Sequence, residues 1–247
     1  MSGHSKWSKV KHQKEASDAA KGKIFTKLAN AIIIAVREGG GITDLEGNFR
    51  LRLAVEKAKN LNMPKENIER AIEKGKGNEG MGRLEKIIYE AFGPGGVGIL
   101  IETATDNKQR TVAAIKNVLD RGGGSLAGSG AVSYLFKLMG LIRINKKEKN
   151  LDEFTEIAIN VGANDLDEVG DTIEIYTMSE SLHKVKEALT KKGLYVESAE
   201  LFYHPITLLP INNKETALSV LKLLSSLEEL DDIQRVFANI DIPEEYL

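Results

Sequence analysis

Two kinds of hydrophobic periodicity divide this chain of 247 residues. Up to about residue 83, apolar side chains recur every three or four positions, as they do in amphipathic helices. From Leu84 onward, short runs typical of strands are separated by further helical stretches. The pattern predicts an all-helical N-terminal part followed by a mixed α and β part.

The N-terminal part is predicted to contain three helices. The first spans residues 17–38 and has a basic face opposite an apolar one, and three glycines end it. The second spans residues 49–61, and the third has Pro64 in its first position. The side chains expected to face inward are Ile24, Phe25, Leu28, Ile32, Ala35, Leu51, Val55, Ala58, Ile68, Ala71 and Ile72.

A glycine-rich stretch, residues 75–82, closes the helical part. Gly75, Gly77 and Gly80 match the dinucleotide-binding pattern G-x-G-x-x-G. That pattern binds a pyrophosphate only where a strand precedes it and a helix begins inside it. Here a helix precedes it and more glycine follows, so we interpret the stretch as a linker.

Eight strands and four helices are predicted beyond the linker. The strands are residues 87–91, 97–105, 131–136, 141–144, 172–177, 195–202, 206–210 and 233–238, and the helices are residues 107–121, 151–161, 181–192 and 214–227. They form a β-β-α-β part, a β-α-β-α-β part and a closing β-α-β part.

This order predicts an α+β multidomain fold. An all-helical domain, residues 1–83, would be followed by an α+β sandwich formed by residues 84–137 and 205–247. Residues 138–204 would form a second α+β sandwich inserted in the first, each with helices on one face of a mainly antiparallel sheet. One continuous mixed sheet is the alternative.

Charge is distributed unevenly along the chain. Residues 1–83 contain 17 Lys and Arg against 10 Asp and Glu, a net charge of +7, whereas residues 84–247 carry −9. The first 27 residues alone contain seven lysines and two acidic residues. A basic segment of this kind is typical of proteins that bind a polyanion, and lysines contact phosphates without reading sequence.

The predicted nucleic-acid-binding residues follow from this asymmetry. They are the lysines of the N-terminal arm, the histidine among them and an arginine pair at the start of the second helix, namely Lys6, Lys9, Lys11, His12, Lys14, Lys21, Lys23, Lys27, Arg50 and Arg52. For His12, the simpler alternative to nucleic-acid binding is a solvated position on the protein surface. Trp7 is expected to anchor the arm in the helical core.

Two glycine-rich loops are candidate contact surfaces for a partner. Residues 93–96 are interpreted first as a tight hairpin, and residues 122–130 as a long mobile loop that is equally well a spacer or a surface ordered by a partner. The candidates are Gly93, Gly95, Gly96, Gly122, Gly123, Gly124, Gly128 and Gly130, together with Lys108 and Arg110.

Composition argues against most enzyme chemistry. The chain has no cysteine, its four histidines lack metal-ligand spacing, and its acidic pairs adjoin one another rather than converge. We therefore expect no catalytic residues, no metal, no cofactor and no small-molecule substrate. The apolar run at residues 31–36 is too short to span a membrane and the N-terminus lacks a signal peptide, so we expect a cytoplasmic protein without a membrane partner.

Several motifs closely resemble the YebC/PmpR family. They are GHSKW at 3–7, KHQK at 11–14, GKIFTKL at 22–28, RLRLA at 50–54, NMPKENIERAI at 62–72, GPGGV at 93–97, TDNKQRT at 105–111, YLF at 134–136 and ELDDIQRVFANIDIP at 229–243. The resemblance implies three domains, the third inserted in the second, and no enzymatic activity. It also implies a role in gene expression, either as a DNA-binding transcriptional regulator or as a ribosome-associated translation factor, as for the related mitochondrial translational activator of a cytochrome oxidase subunit.

Two functions therefore stay open. No helix-turn-helix or zinc-finger signature is recognised, and lysines supply little base readout, so we expect a translation factor that binds ribosomal RNA. Transcriptional regulation through promoter DNA is the alternative. A small-molecule site in a cleft between domains is the residual possibility.

Overall fold

The structure is a computed structural model that describes residues 18–77, 83–146 and 151–246, with side chains from Gly22 onward. Its helices are α1 (Asp18–Glu38), α2 (Phe49–Asn60), α3 (Lys65–Lys76), α4 (Lys108–Arg121), α5 (Leu151–Val161), α6 (Leu182–Lys191) and α7 (Lys214–Glu228). Its strands are β1 (Glu85–Phe92), β2 (Gly98–Thr105), β3 (Ser125–Ala127), β4 (Phe136–Asn145), β5 (Asp165–Val169), β6 (Thr172–Met178), β7 (Val196–Pro205), β8 (Leu209–Pro210), β9 (Ile233–Ala238) and β10 (Ile240–Asp241).

Helices α1 to α3 form a small helical domain around the predicted apolar faces. Gly40 and Gly41 adopt positive φ where α1 ends, and Asn48 then caps α2 by accepting a hydrogen bond from the Leu51 backbone. The Asn48 amide also donates to the carbonyl of Ala35 at 3.0 Å, which joins the two helices. The core residues are Leu28, Ile32, Ile33, Ala35, Val36, Leu51, Val55, Ala58, Met63, Ile68 and Ala71.

Three predictions for this domain need correction. Ile24 is 37% exposed, and the apolar contacts of α1 with the core begin at Phe25. Pro64 precedes α3 instead of opening it. Gly75 is not part of a linker: it lies buried in α3, where a Cβ would come 2.6 Å from the Cβ of Val36. The helix continues because the missing side chain lets α3 approach α1; residues 78–82 lie outside the described residues.

The second domain is built on an antiparallel sheet in the order β3-β1-β2-β9. One face of this sheet packs on α4 and α7, with Ile99 and Ile101 against Ile115 and Leu223. The hairpin predicted at residues 93–96 joins β1 to β2, and Gly95 and Gly96 adopt positive φ there.

In the sequence, the second domain is interrupted by an inserted domain that contains β4 to β7. Its antiparallel sheet, in the order β5-β6-β4-β7, is covered on one face by α5 and α6. The predicted multidomain α+β fold is thus confirmed, and the alternative of one continuous sheet is wrong because the strands form separate sheets. The domain boundaries in the sequence stay a prediction, although β4 and β7 place Phe136 opposite Pro205.

Several predicted strands differ from those observed. Residues 131–135 approach β4 through a 3-10 turn, and β4 is one strand where two were predicted. Strand β5 was missed because acidic residues interrupt its sequence, so the inserted domain is β-α-β-β-α-β. Of residues 206–210, only Leu209 and Pro210 form a strand, which pairs in parallel with β10.

The domains share buried surface. The faces of the two sheets that carry no helices of their own domain meet through Leu100 and Phe237 on one side and Tyr176 and Phe202 on the other. Leu53 of α2 packs into the core of the inserted domain, while its neighbours Leu51 and Val55 pack inside the helical domain. Helix α2 is therefore held between two domains.

Candidate nucleic-acid interface

Most of the predicted lysine arm lies outside the described residues. This applies to Lys6, Lys9, Lys11, His12 and Lys14, to Trp7, and to the side chain of Lys21. The structure places Lys23 and Lys27 on one side of α1. Of the predicted binding residues, these two and the arginines of α2 can be followed in three dimensions.

Lys23 and Lys27 both contact the C-terminal end of α7. The Lys27 ammonium donates to the carbonyl of Glu228 at 2.6 Å, and the Lys23 ammonium lies 3.4 Å from the carbonyl of Glu229. Lys23 is also 3.8 Å from the Asp231 carboxylate, and both of these side chains are exposed. The helical domain thus docks on the second domain through lysines predicted to bind nucleic acid.

Arg50 and Arg52 also have acidic neighbours. Arg50 forms an ion pair with Glu38 at the end of α1. Arg52 lies 3.5 Å from Glu46, with 17% of its side chain exposed, and its guanidinium is 6.0 Å from the centre of the Phe49 ring. These positions limit the base readout that the arginine pair could provide.

The two glycine loops come together at one end of the second domain. A Cβ on Gly124 would lie 2.7 Å from the carbonyl of Phe92, and Gly93 and Gly122 both pack against Leu223 of α7. The loops therefore need glycine for close packing as well as for turning. Among the partner candidates, Gly128 has open space where its side chain would lie.

The loop at residues 122–130 is ordered, contrary to the prediction that it is mobile. Its middle forms β3, which pairs with β1. Beyond β3, the buried Glu90 carboxylate accepts backbone hydrogen bonds from Gly130 at 2.8 Å, Val132 at 2.6 Å and Ser133 at 2.9 Å. Burial raises the pKa of Glu90, but these hydrogen bonds outweigh it and leave the pKa below its ordinary value. The signal in the sequence was Glu90 as the one charged residue within residues 87–92 of β1.

Lys108 and Arg110 lie at the opposite end of the same sheet. Lys108 is 2.8 Å from Glu85. Arg110 pairs with Asp106 at 2.8 Å and with Asp232 at 3.1 Å. The hydrogen bond with Asp232 contributes most to raising the pKa of Arg110, and the one with Asp106 adds to it. The TDNKQRT segment thus ties α4 to the loop before β9. The structure does not bring these two cations close to the glycine loops.

Sequence reasoning missed a charged cluster where the three domains meet. Glu200 of the inserted domain is 2.8 Å from Arg143, 3.0 Å from Lys57 of the helical domain and 3.6 Å from Arg235 of the second domain. Burial raises the pKa of the Glu200 carboxyl, but the three cations outweigh it and hold the pKa well below the usual range. No spacing in the sequence indicates that these residues meet.

Two surface cavities in the described part of the chain are small. One, of about 210 Å³, lies between α2 and α6 and is lined by Arg52 and other polar side chains. Among these, Glu56 pairs with Lys186, and His183 lies 3.3 Å from Glu187. The other, of about 290 Å³, lies beside Arg110. Both are smaller than the roughly 300–1,000 Å³ of typical small-molecule sites.

Within residues 18–77, 83–146 and 151–246, no cluster of three or more histidines and carboxylates could hold a metal ion. The same residues include no helix long and apolar enough to cross a membrane.

Known proteins match the chain over nearly its whole length. A family model described as the TACO1/YebC protein N-terminal domain matches residues 5–78, and one described as the TACO1/YebC second and third domain matches residues 84–240. A probable transcriptional regulatory protein of Aquifex aeolicus is 48% identical, with 100% of this chain and 98% of the relative covered. One from Fervidobacterium nodosum is also 48% identical, with 98% and 94% covered.

A solved structure agrees with these relatives. The crystal structure of a conserved hypothetical protein from Aquifex aeolicus superposes with a TM-score of 0.87 at 48% identity, covering 95% of this chain and 96% of that one. The names of the family's members describe regulatory proteins rather than enzymes. From both family models and from these relatives, the chain belongs to the TACO1/YebC family.

Proposed function

We propose that this regulator is a ribosome-associated translation factor that binds RNA through its basic N-terminal domain. The observation that carries the proposal is the charge division: +7 on residues 1–83 and −9 on residues 84–247. Ribosomal RNA presents a dense array of phosphates, so this division would orient the basic domain toward RNA and the acidic domains away from it.

The helices of the N-terminal domain support RNA over sequence-specific DNA binding. Helices α2 and α3 are joined by a short turn, as in DNA-binding helix-turn-helix proteins. In those proteins the second helix enters the major groove with a face free to contact bases. The exposed side of α3 carries Glu69 and Glu73, which pair with Lys65 at 3.6 Å and Lys76 at 2.7 Å. These pairs along the helix leave fewer side chains of α3 free to contact base edges, as a recognition helix in the major groove would have to do.

The ordered glycine loops support a binding mode based on shape. Held by Glu90, the segment after β3 presents Gly128 and Gly130 at the surface, where no side chain obstructs the approach of a partner. A loop held by these hydrogen bonds would fit a narrow RNA-walled space, with less ordering entropy lost on binding than a loop without them would lose.

Binding to promoter DNA is the second candidate function. The names of the relatives, which describe probable transcriptional regulatory proteins, favour it. It requires a preference of the order of 10³ over other DNA, obtained from base contacts or from deformation of the duplex.

Competition at physiological salt separates the two functions. The labelled protein would be offered a candidate promoter duplex, a scrambled duplex of the same length and purified large ribosomal subunits. We expect ribosomal subunits to compete best and the two duplexes to compete alike. A preference for the promoter over the scrambled duplex of more than about a hundredfold, ~2.7 kcal/mol, would reverse the order of the two functions.

A further inference from the structure

An acidic turn at the C-terminal end of α7 faces Lys23 and Lys27 of α1. It is formed by Glu228, Glu229, Asp231 and Asp232. Its backbone carbonyls accept from Lys27 at 2.6 Å and Lys23 at 3.4 Å, and the Asp231 carboxylate lies 3.8 Å from Lys23. The acidic turn therefore presents to these lysines the same kind of oxygen acceptors that a nucleic-acid backbone would present.

Helix α7 explains why lysines are attracted to this turn. The last turn of α7 contains no basic residue of its own, so the partial negative charge of its terminal carbonyls is not offset within the helix. Lys23 and Lys27 supply that positive charge from another domain. The contact stabilises the end of α7 and at the same time occupies two predicted phosphate-binding groups.

The acidic turn is fixed to the second domain. The Asp232 carboxylate accepts from the Thr111 hydroxyl at 2.6 Å and from Arg110 at 3.1 Å, and the Asp232 carbonyl accepts from the Ala104 backbone at 2.9 Å. Because the turn is held in place, phosphates can take over the ammonium donors that Lys23 and Lys27 use there only if the lysines leave the turn.

We propose that the acidic turn is autoinhibitory: it occupies Lys23 and Lys27 until nucleic acid displaces it. This inference rests on the proposed binding of nucleic acid by the N-terminal domain. Phosphates carry a full negative charge and compete with carbonyl oxygens and one exposed carboxylate, so an RNA already held by the arm would release the contact. Binding would then loosen the docking of α1 on the second domain.

The affinity of full-length protein for labelled polyuridylate RNA tests the proposal. The double variant Glu229→Gln/Asp231→Asn weakens the acidic turn, whereas Glu215→Gln/Glu245→Gln removes the same charge near the opposite end of α7. We expect the first variant to bind RNA about three- to fivefold more tightly than the wild type and the control to stay within about twofold. Equal affinities for the two variants would overturn the proposal.

Amide hydrogen exchange adds a measurement that a change in net charge alone does not alter. The amides of Glu229 and Leu230 donate to Ser225 and Leu227 at the end of α7. We expect polyuridylate to speed their exchange in the wild-type protein, while Ala217 near the start of α7 stays unchanged. Unchanged or slower exchange at Glu229 and Leu230 in the RNA complex would exclude displacement of the turn. Failure of the wild type and both variants to bind any RNA would instead overturn the proposed function, and this inference with it.

Discussion

At the scale of single residues, Glu200 is the side chain that forms ion pairs with all three domains. Its carboxylate is 16% exposed and faces cations from the helical, the inserted and the second domain. Arg143 and Arg235 are largely buried, so removing a counter-charge from either would be costly; Arg143 also pairs with Glu174 at 2.9 Å, and the half-exposed Lys57 depends less on the carboxylate. The cluster therefore favours the one arrangement of domains in which all of these charges are paired.

Replacing Glu200 by Gln should destabilise the protein by about 2–5 kcal/mol, because Lys57 and Arg235 would lose this carboxylate and Arg143 would keep only its pair with Glu174. Urea unfolding followed by circular dichroism measures this loss. Glu156→Gln, an exposed position on α5, is the matched control and should change stability by less than about 0.5 kcal/mol. An equal response of the two variants would contradict the role assigned to Glu200.

The pH dependence of stability should also report Glu200. Its pKa in the folded protein is lowered, so its stabilising contribution is complete above the pKa of an unfolded glutamate, about 4.3. The contribution is lost as the pH falls below that value toward the folded pKa. The wild type should therefore lose stability more steeply than Glu200→Gln between about pH 5 and pH 3. Parallel profiles would show that another group controls acid unfolding.

At the scale of elements, close helix packing depends on glycine at Gly75. A Cβ at this position would lie 2.6 Å from the Cβ of Val36, which no change of rotamer can move away. The glycine that resembles a linker in the sequence is thus a contact point between α1 and α3.

Gly75→Ala should destabilise the protein by about 1–2 kcal/mol, because the overpacking cost exceeds the gain of about 1 kcal/mol in helix propensity. Gly22→Ala is the control. Gly22 lies in α1 with nothing within 4 Å of its missing side chain, so alanine there should stabilise the protein by about 0.5–1 kcal/mol. Thermal unfolding distinguishes the two effects. Stabilisation by both substitutions would contradict the close approach of the helices.

At the scale of the whole molecule, the inserted domain covers one face of the sheet of the second domain. The ends of the insertion lie side by side, since Phe136 pairs with Pro205. The second domain has its own core on the face of its sheet that packs on α4 and α7. Its other face, with Leu100 and Phe237, is buried by the inserted domain.

Replacing residues 138–204 with a short Gly/Ser linker should therefore leave a remainder that unfolds cooperatively. Because Leu100 and Phe237 lose their cover, we expect the remainder to bind more of a hydrophobic dye than the intact protein, and to self-associate. Sedimentation and dye fluorescence measure both properties. A remainder without a cooperative transition would mean that the second domain does not fold alone.

The charge of the N-terminal lysines should determine how the RNA affinity of the whole protein depends on salt. If about five of those between Lys6 and Lys27 contact phosphates, the logarithm of RNA affinity should fall with the logarithm of salt concentration at a slope of roughly −3 to −5. Reversing Lys9, Lys11, Lys14 and Lys23 to Glu should abolish binding. Filter binding across a salt series provides the measurement.

A matched variant distinguishes the loss of specific lysine contacts in the arm from the effect of net charge on RNA affinity. Four exposed lysines outside the helical domain can be reversed to Glu with the same total change, at Lys184, Lys192, Lys214 and Lys222. We expect this control to keep most of its RNA affinity. An affinity independent of salt, or equal losses in both variants, would refute binding through the arm.

The sequence by itself determined the features that depend on local pattern. Helix α2 follows from the spacing of Leu51, Val55 and Ala58, and the β1–β2 hairpin follows from the glycines between its strands, because periodicity and turn chemistry act over a few residues. The charge division likewise needs no coordinates.

Tertiary structure alone decided what depends on residues far apart in the chain. Strand β5 forms because β6 offers it a partner, despite its acidic sequence, and the loop after α4 is ordered because β1 places Glu90 beneath it. The lysines of α1 look solvated in the sequence, yet the structure sets them against the end of α7, about 200 residues away. Local propensity cannot report such contacts, since packing and electrostatics between distant segments override it.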